Sequence, residues 1–194
     1  MSFHPSLTTP LSKAKKMMLW FAMISMTMMF AGLTSAYVVS KARPDWLDNF
    51  TLPTAFHIST LVILVSGITF WMAFKNVKAG NSSAVTRYTL ITLLLAVVFS
   101  ITQWIGFSDV VADGYFFTGS ESTVTTSFLY VLVLTHFAHL IGGMIVLIIV
   151  LLRHLKGIYL DAPLGFVLAH TFWHFLGFLS VSYTHLRAHE TYPH

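Results

Sequence analysis

There is not one cysteine in the 194 residues. That excludes disulfides, a thiolate nucleophile, iron–sulfur clusters, covalently attached haem and any cysteine-ligated copper centre, and leaves histidine as the only metal or haem ligand within the apolar segments. Charge is nearly as scarce, at 9% of residues. The seven acids, Asp45, Asp48, Asp109, Asp113, Glu121, Asp161 and Glu190, all lie outside the long apolar runs. With no intramembrane carboxylate to relay protons, a self-sufficient proton pump or proton-coupled carrier is disfavoured, histidine being the one substitute.

What the chain has instead is apolar length. With 56% hydrophobic residues and a mean hydropathy of +0.75 it is an integral membrane protein rather than a soluble domain. Five charge-free stretches, 17–39, 53–74, 88–107, 127–152 and 163–181, are long enough to cross roughly 30 Å of hydrocarbon as helices. An outer-membrane barrel would show short alternating spans and is excluded. The expected fold is therefore all-α, a polytopic bundle of five transmembrane helices after a segment 1–16. No repeat, low-complexity region or extramembrane domain interrupts it. The first run, 23 residues long, exceeds the apolar core of a secretory signal despite the small residues Thr34-Ser35-Ala36.

Loop charges orient the bundle. Lys13, Lys15, Lys16, Lys75, Lys78, Arg87, Arg153 and Lys156 fall on one side, whereas the first and third connections carry Lys41 and Arg43 against Asp45, Asp48, Asp109, Asp113 and Glu121. The positive-inside rule puts the N-terminus in the cytoplasm, or an organellar matrix, and the C-terminus outside. The net charge of +4 is then a topology signal, and no nucleic-acid partner is implied. Trp20, Tyr37, Trp46, Trp71, Trp104 and Tyr159 sit near span ends, where amphipathic rings anchor. Asn49-Phe50-Thr51 matches a glycosylation acceptor, of consequence only in a eukaryotic secretory pathway.

Ionisable side chains at membrane depth are costly and therefore informative. His136, His139, Gly142 and Gly143 interrupt the fourth run, and His170 and His174 the fifth. Spacings of three and four residues put each pair on one helix face. Counted at 1.5 Å per residue, His136 and His139 lie about 12 and 16 Å from one face, and His170 and His174 about 9 and 15 Å from the other. Three of the four are thus expected to meet near the midplane if the two helices are neighbours. In one reading a histidine from each helix ligates a single b-type haem, with Gly142, Gly143 and Gly177 leaving room. In the other, which spacing favours, the imidazoles hydrogen-bond across helices or to Ser, Thr and backbone carbonyls and stabilise the bundle by ~1 kcal/mol per bond. His57 is interfacial on either view. Close helix approach is expected at Ala31, Gly32, Ser35 and Ala36, and again at Gly142 and Gly143. The methionines of the first run are read as adaptable packing rather than Cu(I) ligands.

At these residues the chain resembles subunit III of the haem–copper oxidases, in its five-helix form. The matching features are Lys16-Met17-Met18-Leu19-Trp20-Phe21 with Phe30-Ala31-Gly32-Leu33, Gln103-Trp104, Leu129-Tyr130 through His136, His139, Gly142 and Gly143, and Trp173-His174-Phe175. Together they cover roughly 16–181. The resemblance implies an accessory subunit with no catalytic residue, metal or cofactor of its own. Haem and copper belong to partner subunits; phospholipids bind here, and subunit I is contacted directly, with subunit II and further respiratory complexes beyond. Trp20, Gly32, Gln103, His136, His139, Gly142, Gly143, Trp173, His174 and Phe175 would then be structural, lipid-contacting or subunit-contacting residues. Its place would be the bacterial plasma membrane, or less readily the mitochondrial inner membrane.

Three departures matter. Met26 stands where many family members carry a buried glutamate, so no role of that acid transfers. Leu176-Gly177 follow Trp173-His174-Phe175 where many have an acid. The stretch 182–194 is polar where the family continues apolar, fits no helix face, and reads as a foreign tail. A quinol oxidase subunit III is the alternative within the family, a b-type membrane cytochrome the alternative from another class, and a small transporter a weaker third.

Overall fold

Apolar runs with all backbone groups paired internally can cross a bilayer only as helices or closed barrels, and this chain takes the first course. The computed structural model describes residues 9–40, 54–112, 124–157 and 163–188, and five helices account for nearly all of them: α1 (Pro10–Val39), α2 (Thr54–Lys78), α3 (Ser82–Ala112), α4 (Val124–Leu155) and α5 (Leu164–Ala188). At 25 to 32 residues each they reach about 38–48 Å, beyond the hydrocarbon itself. All five carry a stretch long and apolar enough to cross a membrane. The acceptor Asn49-Phe50-Thr51, the interfacial Trp46 and Tyr159, the acids Asp45, Asp48, Asp113 and Glu121, the side chain of His57 and the tail beyond Ala188 lie outside the described residues. The fifth helix continues to Ala188, past Val181 where its apolar stretch ends.

Local chemistry marks the helix ends. Thr9 caps α1, its hydroxyl accepting from the Ser12 N–H at 3.3 Å, and Pro10 occupies the first turn, where a missing N–H costs nothing. α2 ends at Gly80, whose φ of 73° lets the Gly80 N–H reach the Val77 carbonyl and the Asn81 N–H reach the Asn76 carbonyl. α3 begins almost at once, so α2 and α3 form a tight hairpin and share the most extensive contact in the bundle. Gly157, with φ of 75°, stops α4 in the same way.

α2 also packs on α5, α5 on α4, and α4 on α3, closing a four-helix ring; α1 lies outside it against α4 and α5. The ring is filled by Phe70 and Ala73 of α2, Ala96 and Phe99 of α3, Leu140 and Leu147 of α4, and Phe166 and Trp173 of α5. Lipid tails are as apolar as these side chains, so the gain comes from close packing and interhelical hydrogen bonds rather than escape from water. Such ties cross the bundle among the described residues. Gln103 Nε2 donates to Ser59 Oγ at 2.6 Å, Thr69 and Thr92 share a hydroxyl bond of 2.9 Å, Trp173 Nε1 donates to Ser66 Oγ at 3.1 Å, and His154 Nε2 lies 3.2 Å from Ser82 Oγ.

Candidate functional site in the histidine helices

α4 and α5 are neighbours, yet their histidines do not face one another. His136 and His139 turn toward α1, where both rings meet Phe30 at 6.1 and 6.0 Å between centroids, and His136 also meets Phe99 of α3 at 6.5 Å. His170 and His174 turn toward α2. The His170 ring stacks on Phe74 at 4.3 Å with 24° between planes, and lies 4.2 Å from His174. Among the described residues no ring contact joins a histidine of α4 to one of α5, and no three His, Asp or Glu side chains gather to hold a metal ion.

The seam between α4 and α5 is occupied by other residues, which explains the separation. A Cβ on Gly143 would stand 2.8 Å from Leu176 Cδ1 and 3.2 Å from the Trp173 ring, so the indole and the leucine fill the space that the missing side chain leaves. Trp173 is almost wholly buried and reaches through to Ser66 of α2. One side chain therefore ties three helices together. The expected meeting of His136, His139 and His174 is corrected accordingly: equal depth does not bring residues together when they occupy different helix faces. A haem ligated between α4 and α5 does not fit, because its space is taken by Trp173 and Leu176.

One histidine of each pair bonds back to a carbonyl of its own helix one turn earlier. His139 Nδ1 donates to the Thr135 carbonyl at 2.7 Å, and His174 Nδ1 to the His170 carbonyl at 3.0 Å, which pins the proton of both rings on Nδ1. The Nε2 atoms of His136 and His170 are buried with no hydrogen-bond partner among the described residues, and their rings instead lie against aromatic rings.

The other expected positions divide. Gln103 is an interhelical donor. Gly142 and Gly32 have open space where a Cβ would be, so neither mediates a close approach here. Ala31, Gly32 and Ser35 are exposed, which corrects the expectation that this part of the first span packs tightly within the chain; Met23, Phe30 and Tyr37 make α1's contacts instead. Trp20 is 60% exposed on the outer surface of α1, and Phe175 is half-buried. Sequence reasoning passed over His154, which bridges the end of α4 to the start of α3 through Ser82. Its place beside Arg153 in the last turn of a span, where cations suit the helix dipole, was the available signal. Ser59, Ser66 and Thr92 carried no signal, since a hydroxyl on an apolar helix bonds as readily to its own backbone.

Comparison with known proteins gives the family. The family model described as cytochrome c oxidase subunit III matches residues 2–183. Cytochrome c oxidase subunit 3 of Alkalihalophilus pseudofirmus is 30% identical over 178 residues, covering 89% of this chain and 85% of that one. The subunit 3 of the same name from a Bacillus species is 28% identical, covering 84% and 80%. Cytochrome bo(3) ubiquinol oxidase subunit 3 of Pseudomonas putida is also 28% identical, covering 81% and 76%. With five helices long and apolar enough to cross a membrane and a match over nearly its whole length, the chain belongs to the cytochrome c oxidase subunit III family.

Proposed function

We propose that this chain is the accessory, non-redox subunit III of an aerobic terminal oxidase, packed against the catalytic subunit that reduces dioxygen to water and moves protons. The observation that carries this reading is the use made of its polar intramembrane residues. Trp173, Gln103 and the hydroxyl pairs join helices, and the histidine rings lie among phenylalanines, so the residues that resembled a redox site serve packing. Subunit I is the direct partner, subunit II and further respiratory complexes the extended ones, and haem and copper reside in those partners. Loop charge supports an N-terminus in the cytoplasm and a C-terminus outside. The bacterial relatives support a bacterial plasma membrane over a mitochondrial inner membrane. Cytochrome c is the electron donor we favour; the Pseudomonas putida relative supports the second reading, a quinol oxidase, since the electron entry site belongs to another subunit.

The test is isolation of the chain from its native membrane in mild detergent. A large haem- and copper-bearing subunit should accompany it, while the chain separated from that subunit should show no haem absorbance. A lone, coloured chain overturns the reading. We further propose that the polar tail after the family match, which ends at residue 183, is foreign to the subunit. Intact-mass measurement of the native protein should then show a different C-terminus, and recovery of this very tail would refute it.

A further inference from the structure

A groove of about 390 Å³ opens between α2 and α5, within the roughly 300–1,000 Å³ of ordinary small-molecule sites. Gly67 and Trp71 of α2 and Trp173, His174 and Gly177 of α5 are among its walls. Glycine on both sides keeps it open: a Cβ on Gly177 would come no nearer than 3.9 Å to Ile63, and one on Gly67 no nearer than 3.9 Å to His174 Nε2. Trp71 and Phe178 on its rim are exposed, so the groove is reached from the surrounding bilayer.

His174 gives this otherwise apolar groove its polar atom. Its Nδ1 proton is committed to the His170 carbonyl at 3.0 Å, and its ring is steadied by the His170 ring 4.2 Å away, which is itself stacked on Phe74. Nε2 is thereby left as an acceptor. It points to the bare backbone of Gly67, and among the described residues no hydrogen bond reaches it. His174 lies about 15 Å along α5 from Leu164, near the middle of a hydrocarbon core about 30 Å thick. At that depth the groove therefore offers one acceptor among apolar and aromatic walls.

This chemistry selects the ligand. An acyl chain carries no donor, and the hydroxyls of a lipid headgroup stay at the membrane surface. The match is an apolar molecule that brings a hydroxyl to the midplane on a ring thin enough for a slot whose two walls are each opened by a glycine, with Trp71 and Trp173 supplying aromatic contact. We infer that this groove binds the reduced, quinol form of a membrane quinone, its ring lying between Gly67 and Gly177 and one phenolic hydroxyl donating to His174 Nε2. The oxidised quinone has only acceptor oxygens, so two acceptors would face each other and the site discriminates against it. The site goes beyond the accessory-subunit reading and stands or falls apart from it, since it is read on ligand binding to this chain whatever subunits accompany it.

The full-length chain in detergent is titrated calorimetrically with a short-chain ubiquinol and with the corresponding ubiquinone. One ubiquinol per chain should bind, about tenfold more tightly than the quinone, a modest ratio because the groove is open on one side. Hexylphenol should likewise bind more tightly than hexylbenzene, which lacks the hydroxyl. His174→Phe should erase both differences at unchanged helicity by circular dichroism, and Gly177→Leu, which fills the slot and spares the histidine, should abolish binding. Should either variant fail to fold, the unaltered protein carrying isotope-labelled histidine gives an independent readout: ubiquinol, and not ubiquinone, should shift the Nε2 resonance of one histidine. Equal binding of quinol and quinone, a preference that survives His174→Phe, binding that survives Gly177→Leu, or histidine resonances unmoved by ubiquinol each overturns the site. Preference for hexylphenol without binding of ubiquinol overturns the quinol and leaves a simpler phenol in its place. If phosphatidylglycerol displaces ubiquinol as readily from the unaltered chain as from His174→Phe, the groove is an acyl-chain slot and the proposal fails.

Discussion

Three glycines within apolar helices have opposite consequences because of what stands beside each. Gly143 faces Leu176 Cδ1 at 2.8 Å and the Trp173 ring at 3.2 Å, whereas Gly142 and Gly32 face nothing within 4 Å. Gly143→Ala should therefore overpack the seam and cost about 1–3 kcal/mol, while Gly142→Ala should be neutral or gain up to about 1 kcal/mol from helix propensity. Thermal denaturation in detergent, followed by loss of helicity, ranks the two. Trp173 invites a double-mutant cycle with Ser66. Trp173→Phe and Ser66→Ala should couple by about 0.6 kcal/mol, the mean for hydrogen bonds inside membranes, and a coupling indistinguishable from zero would mean that the 3.1 Å bond carries no weight. The prominence of Gly143 and Trp173 was legible in the sequence, since a glycine pair and an indole stand out in apolar runs. Their pairing was not, because no spacing within one helix states which residue of another helix it meets.

Among the helices, α1 is the least embedded. It touches α4 and α5 along a seam of Met23, Phe30 and Tyr37, seven residues apart, and leaves Met17, Met18, Phe21, Ile24 and Met28 exposed. Phe30 is the centre of that seam, as both α4 histidines lie against it. Phe30→Ala should detach α1 from α4 without unfolding the ring, at a cost of about 1–2 kcal/mol, since packing is lost with no transfer to water. As the chain has no cysteine, cysteines introduced on α1 and α4 report this directly, and cross-linking between them should fall in the variant. The α2–α3 hairpin rests on Gly80. Its φ of 73° makes Gly80→Ala strained by about 1 kcal/mol, with earlier thermal loss of α2 and α3 as the readout. The methionines of the first span were read as adaptable packing, and Met17, Met18, Met28 and Met29 lie on the exposed surface of α1. The small residues beside it were expected to pack, and they do not. Both patterns are compatible with an outer helix, and only α1's position outside the ring separates them.

At the level of the whole molecule, apolar length was enough to determine five helices long and apolar enough to cross a membrane, because a bilayer forbids unpaired backbone and sets a minimum span. Loop charge pointed to an orientation by the same economy. Family membership was likewise legible in the sequence, and the match over residues 2–183 bears it out. What the linear order left open was rotation: which face of each helix turns inward. In water the apolar stripe of a helix points to the core, but in lipid nearly the whole circumference is apolar and the stripe vanishes. So the histidines of α4 and α5, alike in depth and spacing, looked like one site until the ring of α2, α3, α4 and α5 closed and turned one pair to α1 and α3 and the other to α2. Trp173 and Leu176 then filled the place between them, and a candidate redox centre became the packing of a supporting subunit.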